Sequence, residues 1–185
     1  MNTCLVALGA NIPQKENGPK ATLGAAIASL AQRGLPACRI SRFYKTPCFP
    51  PGTGPDYVNA AITLRSDAAP DALLAHLHAV EAQFGRERVQ RWGQRVLDLD
   101  LIACDQVVLP DQKTQSTWRS LPLDQQIATT PDQLILPHPR LQDRAFVLAP
   151  LADIAPNWMH PVTGHTVRAM LNALPSEARD EVSPL

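Results

Sequence analysis

Apolar and polar positions alternate most sharply over Val96-Leu97-Asp98-Leu99-Asp100-Leu101-Ile102, a pattern that predicts a strand with two unlike faces. Leu97, Leu99 and Leu101 point toward a core, and Asp98 and Asp100 point together to the other side. Their Cα atoms are expected roughly 7 Å apart. Two carboxylates at that spacing repel by about 2 kcal/mol at an effective dielectric of about 20, so positive charge is expected between them. Leu5 to Leu8 predicts a first strand that stops at Gly9-Ala10-Asn11. Over 21–34, Leu23, Ile27 and Leu30 have helical spacing and Gly34 is the stop. A strand follows over 38–46 with Ile40, Arg42 and Tyr44 on one face, and another over 57–65. The stretch 70–85 reads as a helix, with Pro70 in its first turn, a stripe of Leu73, Leu74, Leu77, Val80 and Phe84, and Gly85 as the cap. Gln106 to Leu109 is a further strand candidate, 165–174 a last amphipathic helix, and the final ten residues are expected to fray.

The order strand, helix, strand, strand, helix, strand is that of an α+β, ferredoxin-like split βαβ sandwich, a largely antiparallel sheet with helices packed on it. One domain is expected over 1–175, with 176–185 as a tail. The polar stretch 110–133 is long for a connection and reads as a loop insertion, either mobile or functional.

The 185 residues suffice for one core. With 45% hydrophobic and 18% charged residues the composition is globular. Lys+Arg and Asp+Glu both number 17, which argues against a general nucleic-acid binder. Cys4, Cys38, Cys48 and Cys104 form no CxxC pair and read as reduced cysteines packed as small hydrophobes. The N-terminus reads as a strand rather than a signal peptide. No apolar stretch has membrane-spanning length. A soluble, cytoplasmic protein with no membrane partner is expected.

Arg86, Arg88, Arg91 and Arg95 crowd into the connection before the aspartate strand, with Trp92 among them. Arginines that merely paired with surface carboxylates would contribute little. Concentrated in one connection, they supply bidentate donors for phosphate oxygens. Two carboxylates on one strand face suit Mg²⁺, which takes one or two carboxylates plus substrate phosphates. Downstream, His138, Arg140 and Arg144 are placed to meet a phosphate, with Phe146 as an aromatic face. Tyr57 and Asn59, two apart on one strand, set a ring beside an amide, a pair suited to a flat heterocycle with hydrogen-bonding edges. Taken singly, His138 is an ordinary loop histidine and Tyr57-Asn59 an ordinary half-exposed strand. No Walker loop, dinucleotide-binding glycine motif, kinase motif, nucleophile elbow or HExxH zinc motif occurs.

The segments LGANI, SRFYKTP, DYVNAA, GRERVQRWGQRVLDLDLI, LPHPR and RAFVLAPLADIAP, spread in order from about Leu5 to Pro156, resemble the 6-hydroxymethyl-7,8-dihydropterin pyrophosphokinases of folate biosynthesis. The resemblance implies transfer of an intact pyrophosphate from ATP to the pterin hydroxymethyl group, with release of AMP. It implies two Mg²⁺ ions held by Asp98 and Asp100, and mobile-loop Arg86 and Arg95 acting on the transferring group. Arg88, Arg91, His138 and Arg144 would contact ATP, with Glu81 near the nucleotide. Tyr57 and Phe146 would sandwich the pterin, Asn59 would read its edge, Thr46 and Pro47 would line the pocket, and Trp92 would close over both substrates. Asp100 is in addition a candidate acceptor for the hydroxyl proton. A monomer is expected.

The chain departs from the family pattern at Ala10, His78, Gln94 and Val96. His78 bears on an adenine contact, and Gln94 removes a φ constraint before the strand. The rival readings are a transferase with the same Mg²⁺–ATP site and another acceptor, an RNA-binding ferredoxin-like sheet, and an inactive pterin sensor. Only Tyr57, Asn59 and Phe146 separate the first rival from the pterin enzyme.

Overall fold

The computed structural model describes residues 1–13, 18–48, 54–85 and 96–185. Arg86, Arg88, Arg91, Trp92 and Arg95 lie outside the described residues. Seven elements build the predicted core: β1 (Asn2–Ala10), α1 (Pro19–Gln32), β2 (Ala37–Ile40), β3 (Tyr44–Thr46), β4 (Tyr57–Ser66), α2 (Pro70–Gln83) and β5 (Asp98–Cys104). β1 lies antiparallel between β4 and β5, and β2 and β3 both pair antiparallel with β4. That order is the ferredoxin-like split βαβ arrangement.

Each helix stops where the sequence puts a glycine. Gly34 and Gly85 both have φ of 80°, the left-handed conformation that closes a helix C-terminus without a Cβ penalty. Leu23, Ala26 and Leu30 of α1 and Leu73, Leu77 and Val80 of α2 cover one face of the sheet, against Val6, Leu8, Ile62, Leu64, Leu97, Leu99 and Leu101.

The other face is also covered. The remaining elements are α3 (Gln112–Arg119), α4 (Leu123–Ala128), α5 (Ala145–Ile154), α6 (Val167–Ala173), α7 (Ser176–Asp180) and β6 (Ser183–Pro184). α5 buries Val147, Leu148, Leu151 and Ile154 against Leu5, Ala7, Ala61, Ile102 and Ala103, joined by Val167 and Met170 of α6. The periodicity does not announce α5, because it is apolar on nearly every side and carries Pro150 within it. No helix among the described residues is long and apolar enough to cross a membrane.

Besides a register shift between Ala37 and Arg39 at the start of β2, two irregularities break the predicted alternation. In β5 the register slips between Leu5 and Val6, which pair with Ala103 and Leu101. Ile102 is the extra residue of a bulge, so Ile102 and Ala103 both serve the α5 side while Leu101 and Cys104 serve the α1/α2 side. The strand expected over 38–46 divides into β2 and β3. Ile40 pairs with Ile62 and Tyr44 with Asn59, so Ile40 and Tyr44 lie on opposite faces rather than one. At the break, Ser41 Oγ accepts the Ala61 N–H at 2.9 Å, taking the place of a ladder carbonyl.

Three further expectations are corrected. Gln106–Leu109 is no strand. Asp105 has φ of 43° and turns the chain, leaving only the single bridge Leu109↔Leu136. That bridge pins the base of the insertion, which carries α3 and α4. Asp111 caps α3 by accepting the Thr114 N–H at 2.9 Å, and the buried Gln115 donates from Nε2 to Pro137 O at 3.2 Å. The C-terminal residues do not fray, because β6 pairs with β3 and the Leu185 N–H reaches Phe43 O at 2.9 Å. Cys4 and Cys104 are not reduced. They face each other across β1 and β5 at a Cα separation of 4.1 Å and form a disulfide.

Candidate functional site

The α5 helix covers only part of its face of the sheet. Along the same face, toward the other end of the strands, the register sets the site residues side by side. Tyr44 pairs with Asn59, Asn59 with Gly9, and Gly9 with Asp98, one rung crossing β3, β4, β1 and β5. The next rung toward α5 carries Ala61, Ala7 and Asp100, and on the other side Thr46 pairs with Tyr57. Asp98 and Asp100 therefore share one face with Tyr57, Asn59 and Thr46, and both aspartates are half-buried.

Gly9 makes the rung a notch. At about 4.8 Å between strands, Asn59 and Asp98 stand about 10 Å apart at their Cα atoms, with no side chain between them. A Cβ built on Gly9 would meet Asn59 Oδ1 at 3.2 Å, which is close enough to push on the amide. Asn59 is buried, and its Nδ2 donates to Thr46 Oγ1 at 2.8 Å. That bond commits the amide nitrogen to Thr46 and turns the oxygen toward the notch. Near Thr46 and Pro47, Cys48 Sγ donates to Gly54 O at 3.0 Å and Asn11 Nδ2 to Pro55 O at 3.3 Å.

The positive side of the site comes from the turn before α5. Arg144 Nη1 lies 3.8 Å from Asp100 Oδ2, and its guanidinium carbon lies 5.7 Å from the centre of the Phe146 ring, which is 40% exposed. His138 is tied to the same strand, its N–H donating to Ile102 O at 2.8 Å. Its Nδ1 accepts the Arg140 N–H at 3.1 Å, so the ring proton resides on Nε2. Burial, then the guanidiniums of Arg144 and Arg140, pull the His138 pKa down to about 3. The ring is a neutral donor at physiological pH. Burial and Arg144 also lower the pKa of Arg140, against an opposing pull from Asp143; the mutual influence of two guanidiniums here suits an anion.

The structure thus sets Asp98, Asp100, Thr46, Tyr57 and Asn59 on one sheet face, with Arg144 beside Asp100, Phe146 beside Arg144, and His138 bonded to the Ile102 carbonyl of β5. Pro47 is exposed beside Thr46. Arg86, Arg88, Arg91, Trp92 and Arg95 lie outside the described residues. Glu81, expected near the nucleotide, is buried on α2, and its Oε1 accepts the Leu99 N–H at 2.7 Å. Gly9 is the residue that sequence reasoning passed over, having read it as a strand stop. Only the register shows that it separates an amide from a carboxylate.

A ferredoxin-like α+β sheet that sets a carboxylate pair on one face with an oriented amide, and a guanidinium beside one of the carboxylates, has the makings of a small-molecule transferase. The family model described as 7,8-dihydro-6-hydroxymethylpterin-pyrophosphokinase matches residues 5–156. The 2-amino-4-hydroxy-6-hydroxymethyldihydropteridine pyrophosphokinase of Synechocystis sp. is 38% identical over 182 residues, 97% of this chain and 80% of that protein. The protein of the same name from Methylorubrum extorquens is 33% identical, with 94% of each chain covered. In fold, the chain resembles the crystal structure of wild-type Plasmodium falciparum HPPK-DHPS with a TM-score of 0.62 at 14% identity, over 92% of this chain and 44% of that one. The chain spans less than half the length of that protein. The chain belongs to the 7,8-dihydro-6-hydroxymethylpterin-pyrophosphokinase family. It is an enzyme of pyrophosphoryl transfer to hydroxymethyldihydropterin in folate synthesis.

Proposed function

We propose that the sheet face carrying Asn59, Asp98 and Asp100 is the active site, and that it moves pyrophosphate from a Mg²⁺–ATP complex to the hydroxymethyl oxygen of 6-hydroxymethyl-7,8-dihydropterin. The observation that carries this reading is the rung Asn59–Gly9–Asp98. On this reading a flat bicyclic ring lies between Tyr57 and Phe146 with one edge on the Asn59 amide and its hydroxymethyl group toward the carboxylates. Thr46 and Pro47 line the same end of the pocket. His138 Nε2–H and Arg144, with Arg88 and Arg91, take the phosphates. Arg86 and Arg95 act on the transferring group, and Trp92 closes the site.

In the reaction the hydroxymethyl oxygen bonds to the β-phosphorus, the bond from that phosphorus to the α,β-bridging oxygen breaks, and AMP leaves with the negative charge. The hydroxyl proton departs to solvent or to Asp100. The residues do this by alignment and charge stabilisation, the means general to phosphoryl transfer. Asp98 and Asp100 fit Mg²⁺ as hard oxygen donors on one half-buried face. Among the described residues no three His, Cys, Asp or Glu side chains gather as a metal cage, so the remaining ligands would be phosphate oxygens and water. Bound there, two Mg²⁺ ions would supply positive charge to the polyphosphate. The enzyme works as a monomer in the cytoplasm on this reading, with no nucleic-acid or membrane partner.

The test is AMP release from ATP and Mg²⁺, with and without the pterin, in wild type and Asp98→Ala. Pterin-dependent AMP that disappears in the variant is the expected result. ADP in place of AMP would mean γ-phosphoryl transfer and would end the proposal.

A further inference from the structure

Glu81 lies on the buried side of α2 with Leu73, Leu77 and Val80, and is 1% exposed. Burying a carboxylate there carries a desolvation cost that an apolar residue would avoid. The compensation lies on β5. Among the described residues this strand ends the sheet, with β1 as its neighbour on one side. Asp98 and Asp100 pair with Gly9 and Ala7 of β1, and between them Leu99 turns its N–H to the outer edge. Glu81 Oε1 accepts that N–H at 2.7 Å in buried surroundings.

We infer that Glu81 is a positioning residue for the carboxylate pair. It grips the one stretch of backbone that both aspartates flank. Leu99 packs into the α1/α2 core, and its neighbours project from the opposite face, so a shift or twist of Leu99 moves Asp98 and Asp100 together. An outer strand lacks a second neighbour to resist such a twist; the side-chain acceptor from α2 takes that neighbour's place. The bond couples a core helix to the groups that orient the metal–nucleotide complex, as partners behind metal ligands generally do. This inference rests on the reading of Asp98 and Asp100 as the holders of Mg²⁺.

The experiment compares wild type, Glu81→Gln, Glu81→Leu and Asp98→Ala. The first readout is Mn²⁺ affinity by electron paramagnetic resonance, with the protein saturated by an ATP analogue whose α and β phosphorus atoms are bridged by methylene. The second is analogue affinity without divalent cation, and the third is thermal unfolding. Glu81→Gln keeps an oxygen acceptor and is expected to bind Mn²⁺ like wild type. Glu81→Leu is expected to weaken Mn²⁺ by about tenfold or more while leaving metal-free analogue affinity unchanged. Should Glu81→Leu fail to fold, Glu81→Met offers comparable reach without a good acceptor. Unchanged Mn²⁺ affinity in the apolar variant, with Asp98→Ala weakened, overturns this inference alone. Loss of metal-free analogue affinity in Glu81→Gln also overturns it, because Glu81 would then contact the nucleotide. Unchanged Mn²⁺ affinity in Asp98→Ala removes the metal reading and this one with it.

Discussion

Thr46 Oγ1 receives the Nδ2–H of Asn59 at 2.8 Å, and that bond decides which end of a buried amide faces Gly9. Asn59 can thus present a fixed acceptor to an N–H on the edge of a heterocycle. Thr46 is one of three residues in β3, and β6 pairs along the outer side of that strand. The C-terminal residues therefore back the strand that orients the amide.

Thr46→Val keeps the shape of the side chain and removes the acceptor. The amide is then free to turn over, so pterin binding is expected to weaken by about tenfold, the equivalent of one hydrogen bond of about 1 kcal/mol or slightly more. ATP affinity should stay near wild type, and Thr46→Ser should recover most of the loss. Titration calorimetry with each substrate separately checks this. Equal losses for pterin and ATP would show a general collapse of the sheet end instead.

Gly9 offers a steric counterpart. Gly9→Ala sets a methyl 3.2 Å from Asn59 Oδ1, in the space a ring needs to pass from the amide toward Asp98. The backbone there is regular strand, so folding should tolerate the change and the unfolding temperature should move little. The KM for pterin is expected to rise by about tenfold or more, an overpacking cost of about 1–3 kcal/mol, with the KM for ATP unchanged. A wild-type pterin KM in a folded variant would mean that nothing occupies the notch.

Much of this arrangement is legible in the chain. Strict alternation over 97–101 places both aspartates on one face, and the two-residue spacing of Tyr57 and Asn59 does the same on β4. The stripe of α2 and the glycines after both helices fix the first helical layer. Other features depend on what no period shows. A bulge at Ile102 and a break at Ser41 each add one residue to a strand, and one residue reverses every later side chain. α5 escapes because an all-round apolar segment containing Pro150 has no stripe to detect. Glu81 did leave a trace: it is four residues from Leu77 and beside Val80, on the stripe itself, where a carboxylate needs a reason. The closeness of Arg144 to Asp100 is a matter of tertiary packing and has no local signature.

Asp100→Asn separates holding a metal from accepting a proton. The amide keeps one oxygen donor and loses charge beside Arg144, which lies 3.8 Å away. If Asp100 acts only by holding metal, turnover should fall and recover as Mg²⁺ is raised. A proton-accepting role instead leaves a deficit that Mg²⁺ does not relieve, of about a hundredfold or more at saturating metal. Turnover as a function of Mg²⁺ concentration, at saturating ATP and pterin, decides between them.

His160 should make the fold sensitive to mild acid. The side chain is fully buried, and its Nδ1 accepts the N–H groups of Val162 at 3.1 Å and Thr163 at 3.4 Å. The turn it organises returns through Gly164, whose φ is 70°. Burial, then Arg119, pull its pKa from the ordinary 6.5 down to about 4. Between those two values the unfolded chain binds a proton that the folded chain does not. The stability this histidine contributes is therefore complete above pH 6.5 and disappears as pH falls toward about 4. The slope for one such group is at most about 1.4 kcal/mol per pH unit. His138 is shifted in the same direction, so the wild-type slope alone does not isolate His160. His160→Asn, which keeps a side-chain oxygen for the turn, is expected to start less stable at neutral pH and to lose less on acidification. Urea midpoints for both proteins, taken from neutral pH down through 5, should converge as pH drops. Parallel lines would show that His160 does not titrate in this window, and that the acid sensitivity resides elsewhere.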